Sequence, residues 1–242
     1  MGRPMKRVEK EEYVFDVFQR IADGYDSANR RISMGAHLRW KETAARSLCR
    51  KLPGEISLLD IGCGTGDMLR IFSGLCPDAQ LTGLDFSPNM LKEAETNCRE
   101  IRNLCLKQGN ALALPFPAES FDGVSISFAL RNTADYFLAL REAARVLREG
   151  GYLLVIDSFV PQSSLVRPFY DLYFTGIMPV LGGGFLKQKE YRWLTQSTKE
   201  FISTGQLQDL CRQAGFVCCE KKAFLFGACA YVLAGRERGQ NR

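Results

Sequence analysis

Three glycines at alternate positions, directly after a short apolar run, constrain the fold of this chain more than any other feature. Residues 58–67 read LLDIGCGTGD, with glycines at 62, 64 and 66. Glycine adopts positive φ angles without steric cost and lets another group approach the backbone closely. The apolar run predicts the end of a buried strand, and the residues after the turn predict a helix that begins near Thr65 to Asp67. A strand, a glycine turn and a helix in this order are typical of the doubly wound α/β folds that bind nucleotides.

The spacing of the glycines separates several classes of nucleotide site. A dinucleotide fingerprint requires G-x-G-x-x-G, but the third glycine comes one residue early here, and no Lys-Ser or Lys-Thr pair follows to form a P-loop. The pattern D-x-G-x-G-x-G instead resembles motif I of the class I S-adenosylmethionine-dependent methyltransferases. That resemblance implies that the cofactor contacts are Asp60, Gly62, Gly64, Thr65 and Gly66. A tight turn without a ligand remains an alternative, whereas an NAD-dependent oxidoreductase is disfavoured by the spacing.

A second signal is an acidic residue at the end of the next predicted strand. Asp85 follows the apolar run 81–84, about 20 residues past the turn, where an acid can accept hydrogen bonds from both ribose hydroxyls. We expect Phe86 to contact the cofactor beside it. Ser87 is a predicted N-cap and Pro88 the first residue of the following helix.

Two later segments complete the predicted site. Residues 109–116 read GNALALPF, and in the methyltransferase fold this segment passes the adenine. There Asn110 would offer its amide to the ring edge, and Ala111 would pack on its face. Residues 121–127 predict the fourth strand, which places Ser127 at its carboxyl end, where ligands bind in open α/β sheets.

Length and composition fit one large α/β domain. The chain has 242 residues, 46% of them hydrophobic, which is ordinary for a globular protein. Alternating strands and helices predict a parallel sheet with helices on both faces, that is, a doubly wound, Rossmann-like class I methyltransferase fold with N-terminal helices and a helical lid insertion. We expect a helical cap over the cofactor (1–52), a cofactor-binding core (53–160), a lid (161–200), completion of the core (201–235) and a basic tail (236–242).

The periodicity predicts further elements. Helices are expected within 9–23 and 37–52, and from residue 136 to 147, the last of these stopped by the glycines at 150 and 151. A strand is expected at 152–157, and a closing antiparallel hairpin at 217–223 and 228–233.

Charge and cysteine content exclude several classes of function. The net charge is only +5 and no basic stripe is interleaved with aromatic residues, so nucleic acid is a poor partner. Nine cysteines without C-x2-C spacing predict reduced thiols and no metal site. The N-terminus lacks the apolar region of a signal peptide, and no run of about 20 apolar residues predicts a membrane span. We therefore expect a cytoplasmic location.

Two stretches identify a narrower resemblance. Residues 25–40, YDSANRRISMGAHLRW, resemble the signature Y-D-x-M-N-x2-[aliphatic]-S-x3-H-x2-W of the ubiquinone/menaquinone biosynthesis C-methyltransferases, with Ala28 in place of methionine. Residues 127–132, SFALRN, resemble that family's S-F-G-L-R-N, with Ala129 in place of glycine. The sequence departs from the family at Glu149, where proline is usual, and around 157–159, where E-x-S is replaced.

The resemblance implies methyl transfer from S-adenosylmethionine to a ring carbon of a polyprenyl hydroquinone such as demethylmenaquinol. Its candidate catalytic residues are Arg131, which would stabilise a phenolate, Tyr25, which would line the methyl-donor pocket, and Asp26 and His37, either of which would accept a proton. For each a structural role is the alternative: an ion pair for Arg131, a helix-ending turn for Tyr25 and Asp26, and packing for His37.

Partners follow from the same resemblance. The aromatic stretch 169–185 suits an apolar quinone and its tail, and a bilayer-dissolved substrate predicts peripheral contact with the inner face of the membrane. A homodimer is left open. The alternatives are a methyltransferase for another small acceptor, such as a natural-product phenol or a sterol, and a scaffold that keeps the cofactor fold without turnover.

Overall fold

The computed structural model describes residues 7–52, 54–178, 181 and 188–237. Strands in this part of the chain extend over Ser57–Ile61 (β1), Gln80–Asp85 (β2), Leu104–Gln108 (β3), Phe121–Ser127 (β4), Leu147–Ser158 (β5), Phe216–Phe224 (β6) and Cys229–Arg236 (β7). They form one sheet in the order β3-β2-β1-β4-β5-β7-β6. The first five strands are parallel, and β7 is antiparallel to both β5 and β6.

Helices cover both faces of this sheet and one of its ends. They extend over Arg7–Ile21 (α1), Tyr25–Ser33 (α2), Ala36–Cys49 (α3), Asp67–Leu75 (α4), Pro88–Asn97 (α5), Tyr136–Val146 (α6), Arg167–Leu172 (α7), Gln188–Glu200 (α8) and Thr204–Gln213 (α9). A π-helical turn, Tyr173–Ile177, continues α7, and single 3-10 turns occur at Leu130–Asn132 and Leu225–Gly227. The predicted α/β sheet with a closing antiparallel hairpin is confirmed.

The apolar run of β1 is buried on both faces, as parallel strands require. Leu58 packs in a cluster with residues of α3 and α4, whereas Leu59, pointing the other way, packs with residues of α6 and α9. This alternation at successive positions is the period of a strand. The sheet therefore separates two large apolar clusters and holds β1 rigidly at its centre.

The chain reverses its order of strand addition at β1, since β1 pairs with β2 on one side and with β4 on the other. In open α/β sheets the crevice outside the carboxyl ends of the strands at such a reversal is the usual ligand site. Local signals fix the surrounding elements: the Ser87 hydroxyl accepts a hydrogen bond from the Met90 backbone N–H at 3.2 Å, and Pro88 begins α5, as predicted.

A third apolar cluster joins the N-terminal helices to the predicted lid. It includes Val17 and Ile21 of α1, Ala28 of α2, and Trp193 and Leu194 of α8. The lid segment thus packs on the N-terminal helices, although the predicted boundaries between the parts of the chain remain predictions. The triple glycine 182–184, Phe185 and residues 238–242 of the predicted tail lie outside the described residues. None of the described helices is long and apolar enough to cross a membrane.

The structure differs from the predicted elements in three places. Helix α2 was not predicted, because its nine residues are mostly polar and lie between Gly24 and Gly35, whose backbones are left-handed. The glycines at 150 and 151 do not stop a helix: α6 ends at Val146, and both glycines lie within β5, where the register against β4 shifts. Arg236 belongs to β7, because strand pairing continues past the predicted boundary.

Candidate functional site

The glycine turn after β1 forms one wall of a cleft. Gly62 and Gly66 have φ angles of 69° and 91°, and a Cβ atom at either position would collide with Ala129 or Cys98, respectively. Both positions therefore require glycine. A Cβ atom on Gly64 would meet no described atom within 4 Å, because Gly64 faces the open space of the cleft.

The cleft lies at the carboxyl ends of β1, β2 and β4. It brings together eight residues that the sequence predicted: Tyr25, Gly62, Gly64, Asp85, Phe86, Asn110, Ala111 and Ser127. Its outer wall, which the sequence did not predict in detail, is the side of α1 that carries Glu11, Val14, Phe15 and Phe18. Other predicted residues are absent from the described lining: Asp26, His37, Asp60, Thr65, Gly66 and Arg131.

Asp85 ties the glycine turn to the start of α5. Its carboxylate accepts hydrogen bonds from the backbone N–H groups of Gly64, at 2.8 Å, and Ser87, at 2.9 Å. Burial raises the pKa of Asp85, and these hydrogen bonds oppose that effect. Each carboxylate oxygen can accept more than one hydrogen bond, so the side chain keeps acceptor capacity on the side of the cleft.

The segment after β3 closes the cleft floor. The Asn110 side-chain oxygen accepts a hydrogen bond from the Leu112 N–H at 2.9 Å, and its amide nitrogen donates to Glu11 at 3.4 Å. The ring of Phe86 meets that of Phe15 edge to face, with centroids 5.1 Å apart. Asn110 thus holds its own turn and contacts α1, and the predicted contact of its amide with a ligand remains a prediction.

Asp60 lies behind the cleft wall. It is fully buried at the end of β1, where its carboxyl accepts a hydrogen bond from the Ser125 hydroxyl at 2.6 Å. Burial raises the pKa of Asp60 to about 7, against the opposing effect of that hydrogen bond. Asp60 thus joins β1 to β4, and its predicted contact with the cofactor remains a prediction.

Asp26 connects α2 to the glycine turn. Its carboxylate accepts hydrogen bonds from the Thr65 hydroxyl at 2.5 Å and from the Asn97 amide at 3.3 Å. Tyr25, the neighbouring residue, faces the cleft. Tyr25 and Asp26, both nominated from the sequence, therefore differ in position: Tyr25 lines the site, whereas the carboxylate of Asp26 holds the turn in place.

His37 is part of a buried polar cluster under the turn. Its Nδ1 lies 2.6 Å from the Ser33 hydroxyl, and its Nε2 lies 3.7 Å from the Asp67 carboxylate. Lys41 donates to the same carboxylate at 3.1 Å, and Arg70 also pairs with it. Burial acts to raise the pKa of Asp67, but these partners outweigh it and hold that pKa well below its usual range.

Arg131 forms a buried ion pair beside the cleft. Its guanidinium bonds to the carboxylate of Asp157, and it also donates to the Phe128 carbonyl at 3.0 Å. The Asp157 carboxylate in addition accepts the Arg131 backbone N–H at 3.2 Å. Asn132, the next residue, lines the cleft. Arg131 thus has the ion pair that the sequence left open as an alternative, and its predicted action on a substrate remains a prediction.

Asp157, the partner of Arg131, was assigned no role from the sequence. It lies near the carboxyl end of β5, next to β4, so the strand-end rule that found Asp85 also points to it. No sequence pattern predicts the pairing of Lys41 with Asp67, because the two residues are 26 positions apart and only the packing of α3 on α4 joins them.

The nine cysteines are free thiols in the structure, and Cys49 and Cys76 place their sulfur atoms 2.8 Å apart. No group of three or more His, Cys, Asp or Glu side chains among the described residues has an arrangement that would hold a metal ion.

Comparison with known proteins gives a consistent result. The model of the ubiE/COQ5 methyltransferase family matches residues 6–236. A demethylmenaquinone methyltransferase from Anoxybacillus flavithermus is 39% identical over 236 residues, which cover 96% of this chain and 98% of that protein. Another with that name, from Listeria monocytogenes, is 42% identical and covers 86% of this chain and 88% of its own length.

Solved structures agree on the fold. An S-adenosylmethionine-dependent methyltransferase from Thermotoga maritima superposes with a TM-score of 0.61 at 23% identity, over 93% of this chain and the whole of that chain. Likeness at this level of identity establishes the class I methyltransferase architecture.

Proposed function

The chain belongs to the ubiE/COQ5 methyltransferase family, and from this premise we propose that it transfers a methyl group from S-adenosylmethionine to a ring carbon of a polyprenyl hydroquinone such as demethylmenaquinol. The observation that carries the proposal is the cleft at the strand reversal, where the glycine turn and Asp85 face Tyr25 and Ser127 and the Arg131–Asp157 pair lies alongside. The relatives of the same length that bear the name demethylmenaquinone methyltransferase support this choice of acceptor.

The residues of the cleft fit S-adenosylmethionine. Because Gly64 has no side chain, the cleft stays open next to its backbone. The hydroxyl of Ser127 is buried without a hydrogen-bond partner among the described residues. When bound, S-adenosylmethionine supplies a methyl group activated by a sulfonium charge. We assign the ribose hydroxyls to Asp85, the adenine to Asn110 and Ala111, and the amino-acid end to the glycine turn.

The acceptor side requires a different chemistry. A ring carbon is a weak nucleophile, so a neighbouring ring hydroxyl must lose its proton or be strongly hydrogen-bonded to raise the electron density of the ring. Arg131 remains a cation, and the Asp157 carboxylate holds it beside the cleft. We propose that this cation stabilises the phenolate and that Tyr25 lines the same pocket. Such acid–base assistance contributes about 10²- to 10⁴-fold to a rate.

The contacts of Asp26 and His37 favour positioning over proton transfer. Both side chains already bind neighbours that shape the turn: Thr65 for Asp26, and Ser33 and Asp67 for His37. Their predicted action as bases therefore has less support than the roles of Arg131 and Tyr25.

We infer that the enzyme meets the membrane through α7 and the residues before it. Leu165, Phe169 and Leu172 are 81%, 75% and 65% exposed, which is unusual for large apolar side chains on one short segment. A polyprenyl tail keeps the acceptor in the bilayer, so an apolar surface next to the lid suits transient contact. Absence of binding in vesicle flotation, together with full activity on tail-bearing acceptor in vesicles, would contradict this inference. A cytoplasmic location and a homodimer remain predictions.

The test of the proposed acceptor is a panel of substrates. The enzyme is incubated with S-adenosylmethionine and, in separate vesicle preparations, with demethylmenaquinol, a demethylated benzoquinol, a simple phenol and a sterol. Mass spectrometry should find the methylated product from a polyprenyl hydroquinone, at a kcat/KM well above that for the other acceptors. A preference for the simple phenol or the sterol would contradict the proposal, and tight cofactor binding with no product from any acceptor would favour a scaffold.

A further inference from the structure

Five buried polar atoms of the described residues have no hydrogen-bond partner. They are Ser127 Oγ, Arg131 Nε, Asn132 Oδ1, Tyr170 Oη and Trp193 Nε1, and each of these residues is at most 8% exposed. A buried polar group without a partner costs about 1–3 kcal/mol, and folded proteins keep few of them. Such a group in an enzyme therefore indicates a partner that arrives with the ligand.

Three of these atoms border the site already described. Ser127 and Asn132 line the cleft, and Arg131 lies between them along the chain. The other two atoms come from the lid, Tyr170 from α7 and Trp193 from α8. From the sequence, Tyr170 was placed only within the aromatic stretch that suits the acceptor, and Trp193 was assigned no role.

Tyr170 packs on a residue of the cluster that also contains cleft-lining side chains. Its ring stacks on that of Phe174, with centroids 4.1 Å apart, and Phe174 packs in the apolar cluster that contains Tyr25 and Phe18, both of which line the cleft. Tyr170 is also close enough to Arg131 for the cation to act on its titration. The phenol and the guanidinium thus belong to one buried polar region.

The chemistry of the phenol suits a donor. Burial raises the pKa of Tyr170, and the nearby Arg131 only partly opposes this. The hydroxyl is therefore protonated at neutral pH and can donate a hydrogen bond to an oxygen.

We propose that Tyr170 donates a hydrogen bond to one of the two ring oxygens of the acceptor and so positions the ring beneath the lid. The inference rests on the proposed function, because it assigns a second contact to the acceptor of that reaction. A ring held at one oxygen by Tyr170, with the phenolate oxygen near Arg131, cannot rotate in its own plane. This fixes which ring carbon meets the methyl donor, since productive transfer requires the reacting atoms to be aligned.

The substitution that tests this is Tyr170→Phe. Because the hydroxyl has no described protein partner, its removal should leave the melting temperature unchanged or slightly higher. The affinity for S-adenosylmethionine should also be unchanged. The affinity for the hydroquinone ring and kcat/KM should fall by about 10- to 100-fold, as expected for a lost hydrogen bond to an anionic or polarised oxygen.

The matched control is Tyr231→Phe. The Tyr231 hydroxyl bonds to Ser47 of α3 and Glu220 of β6, away from the cleft. The same chemical change there should lower the melting temperature and leave kcat/KM near the wild-type value. A purely structural role for Tyr170 would make the two variants behave alike.

Two acceptor analogues, each lacking one ring hydroxyl, identify the oxygen. Their affinities for wild type and Tyr170→Phe are measured by calorimetry, which needs no turnover. The loss of affinity caused by Tyr170→Phe should disappear with one analogue and persist with the other, because a double-mutant cycle isolates a direct contact.

If the wild-type enzyme methylates the hydroquinone, two results would overturn this inference without affecting the proposed function. One is that Tyr170→Phe loses affinity equally for both analogues. The other is that Tyr170→Phe binds the hydroquinone as tightly as the wild-type enzyme does. Failure of the wild-type enzyme to methylate any ring acceptor would refute the proposed function and this inference with it.

Discussion

At the scale of single residues, Asp85 joins the parts of the cofactor wall. Replacement by alanine removes the acceptor of the Gly64 and Ser87 N–H groups together with the proposed ribose contact. We expect Asp85→Ala to weaken S-adenosylmethionine binding by about 10- to 100-fold, since hydrogen bonds to a charged group contribute about 1.5–3 kcal/mol. Calorimetry measures the change. Asp78→Ala, which removes an exposed carboxylate, is the control, and equal losses in both variants would contradict the assignment.

Arg131 shows how a catalytic prediction changes once its partner is known. The Asp157 carboxylate is fully buried against it, so Arg131→Ala leaves an uncompensated charge and should destabilise the protein by about 3–5 kcal/mol. The double variant Arg131→Ala with Asp157→Asn should recover much of that stability but no turnover, with S-adenosylmethionine affinity near normal. Urea unfolding and kcat are the measurements. Recovered turnover in the double variant would show that Arg131 acts only through the ion pair.

Asp60 gives the protein a pH dependence with a definite sign. Its folded-state pKa is about 7, above the ordinary value, so between about pH 4 and pH 7 the unfolded chain ionises this group while the folded chain keeps the proton. Its contribution to stability is complete below pH 4 and is lost as the pH rises through 7. The free energy of unfolding of wild type relative to Asp60→Asn should therefore fall by up to about 4 kcal/mol over that window. Parallel pH profiles for the two proteins in urea unfolding would contradict this.

The residues that line the cleft show which parts of the site can be predicted from a sequence. Gly64, Asp85 and Ser127 were found because the ends of parallel strands meet at one edge of a sheet, and strand ends are visible in the sequence. Thr65 and His37 were also nominated from sequence motifs, Thr65 from the glycine turn and His37 from the stretch 25–40. The structure shows that the Thr65 side chain bonds to Asp26 and that the His37 ring pairs with Asp67. Those pairings depend on how distant helices pack, and no spacing rule predicts them.

At the scale of elements, α1 both covers the cleft and is fastened to its rim. The Lys10 amino group donates to the Thr133 carbonyl at 2.7 Å. The Gln19 side-chain oxygen accepts hydrogen bonds from the Ser87 hydroxyl, at 2.5 Å, and the Asn89 N–H, at 2.9 Å. We expect exchange of the proposed cofactor for its product to require α1 to move away, as lids do in other enzymes.

Loosening these contacts should speed cofactor release. We expect Lys10→Ala with Gln19→Ala to raise the dissociation rate of S-adenosylmethionine by about 100-fold, since the three lost hydrogen bonds contribute about 1 kcal/mol each to the closed form. Stopped-flow fluorescence gives the rate. Glu12→Ala, an exposed change on the same helix, should leave it unaltered, and an unchanged rate in the double variant would mean that α1 does not control access.

The elements that the sequence missed have a common physical reason. The amphipathic pattern of α1 was visible because one face is apolar, whereas α2 is largely polar and depends on contacts such as Ser27 with the Gly24 carbonyl. The glycines at 150 and 151 resemble a helix stop, but they lie within β5 between Leu147 and Tyr152, both of which pair with β4. Tertiary pairing here outweighs local preference.

At the scale of the whole molecule, the order of the strands decides where function lies. The sequence predicted a doubly wound sheet because strands and helices alternate from residue 57 to 158, and such a sheet has its ligand crevice at the strand reversal. Helix α1 lines that crevice, and the lid packs on the N-terminal helices. We propose that the cofactor occupies the side of the cleft formed by the glycine turn and that the acceptor occupies the side nearer the lid.

The central claim is that this chain forms a carbon–carbon bond between a methyl group and a quinol ring. The most direct test is incubation of the wild-type protein with trideuteromethyl-labelled S-adenosylmethionine and demethylmenaquinol in vesicles, followed by mass spectrometry and NMR of the extracted lipid. The account predicts one trideuteromethyl group on a ring carbon of each product molecule. Label on a ring oxygen, or no label in the lipid while the folded protein binds the cofactor, would contradict it.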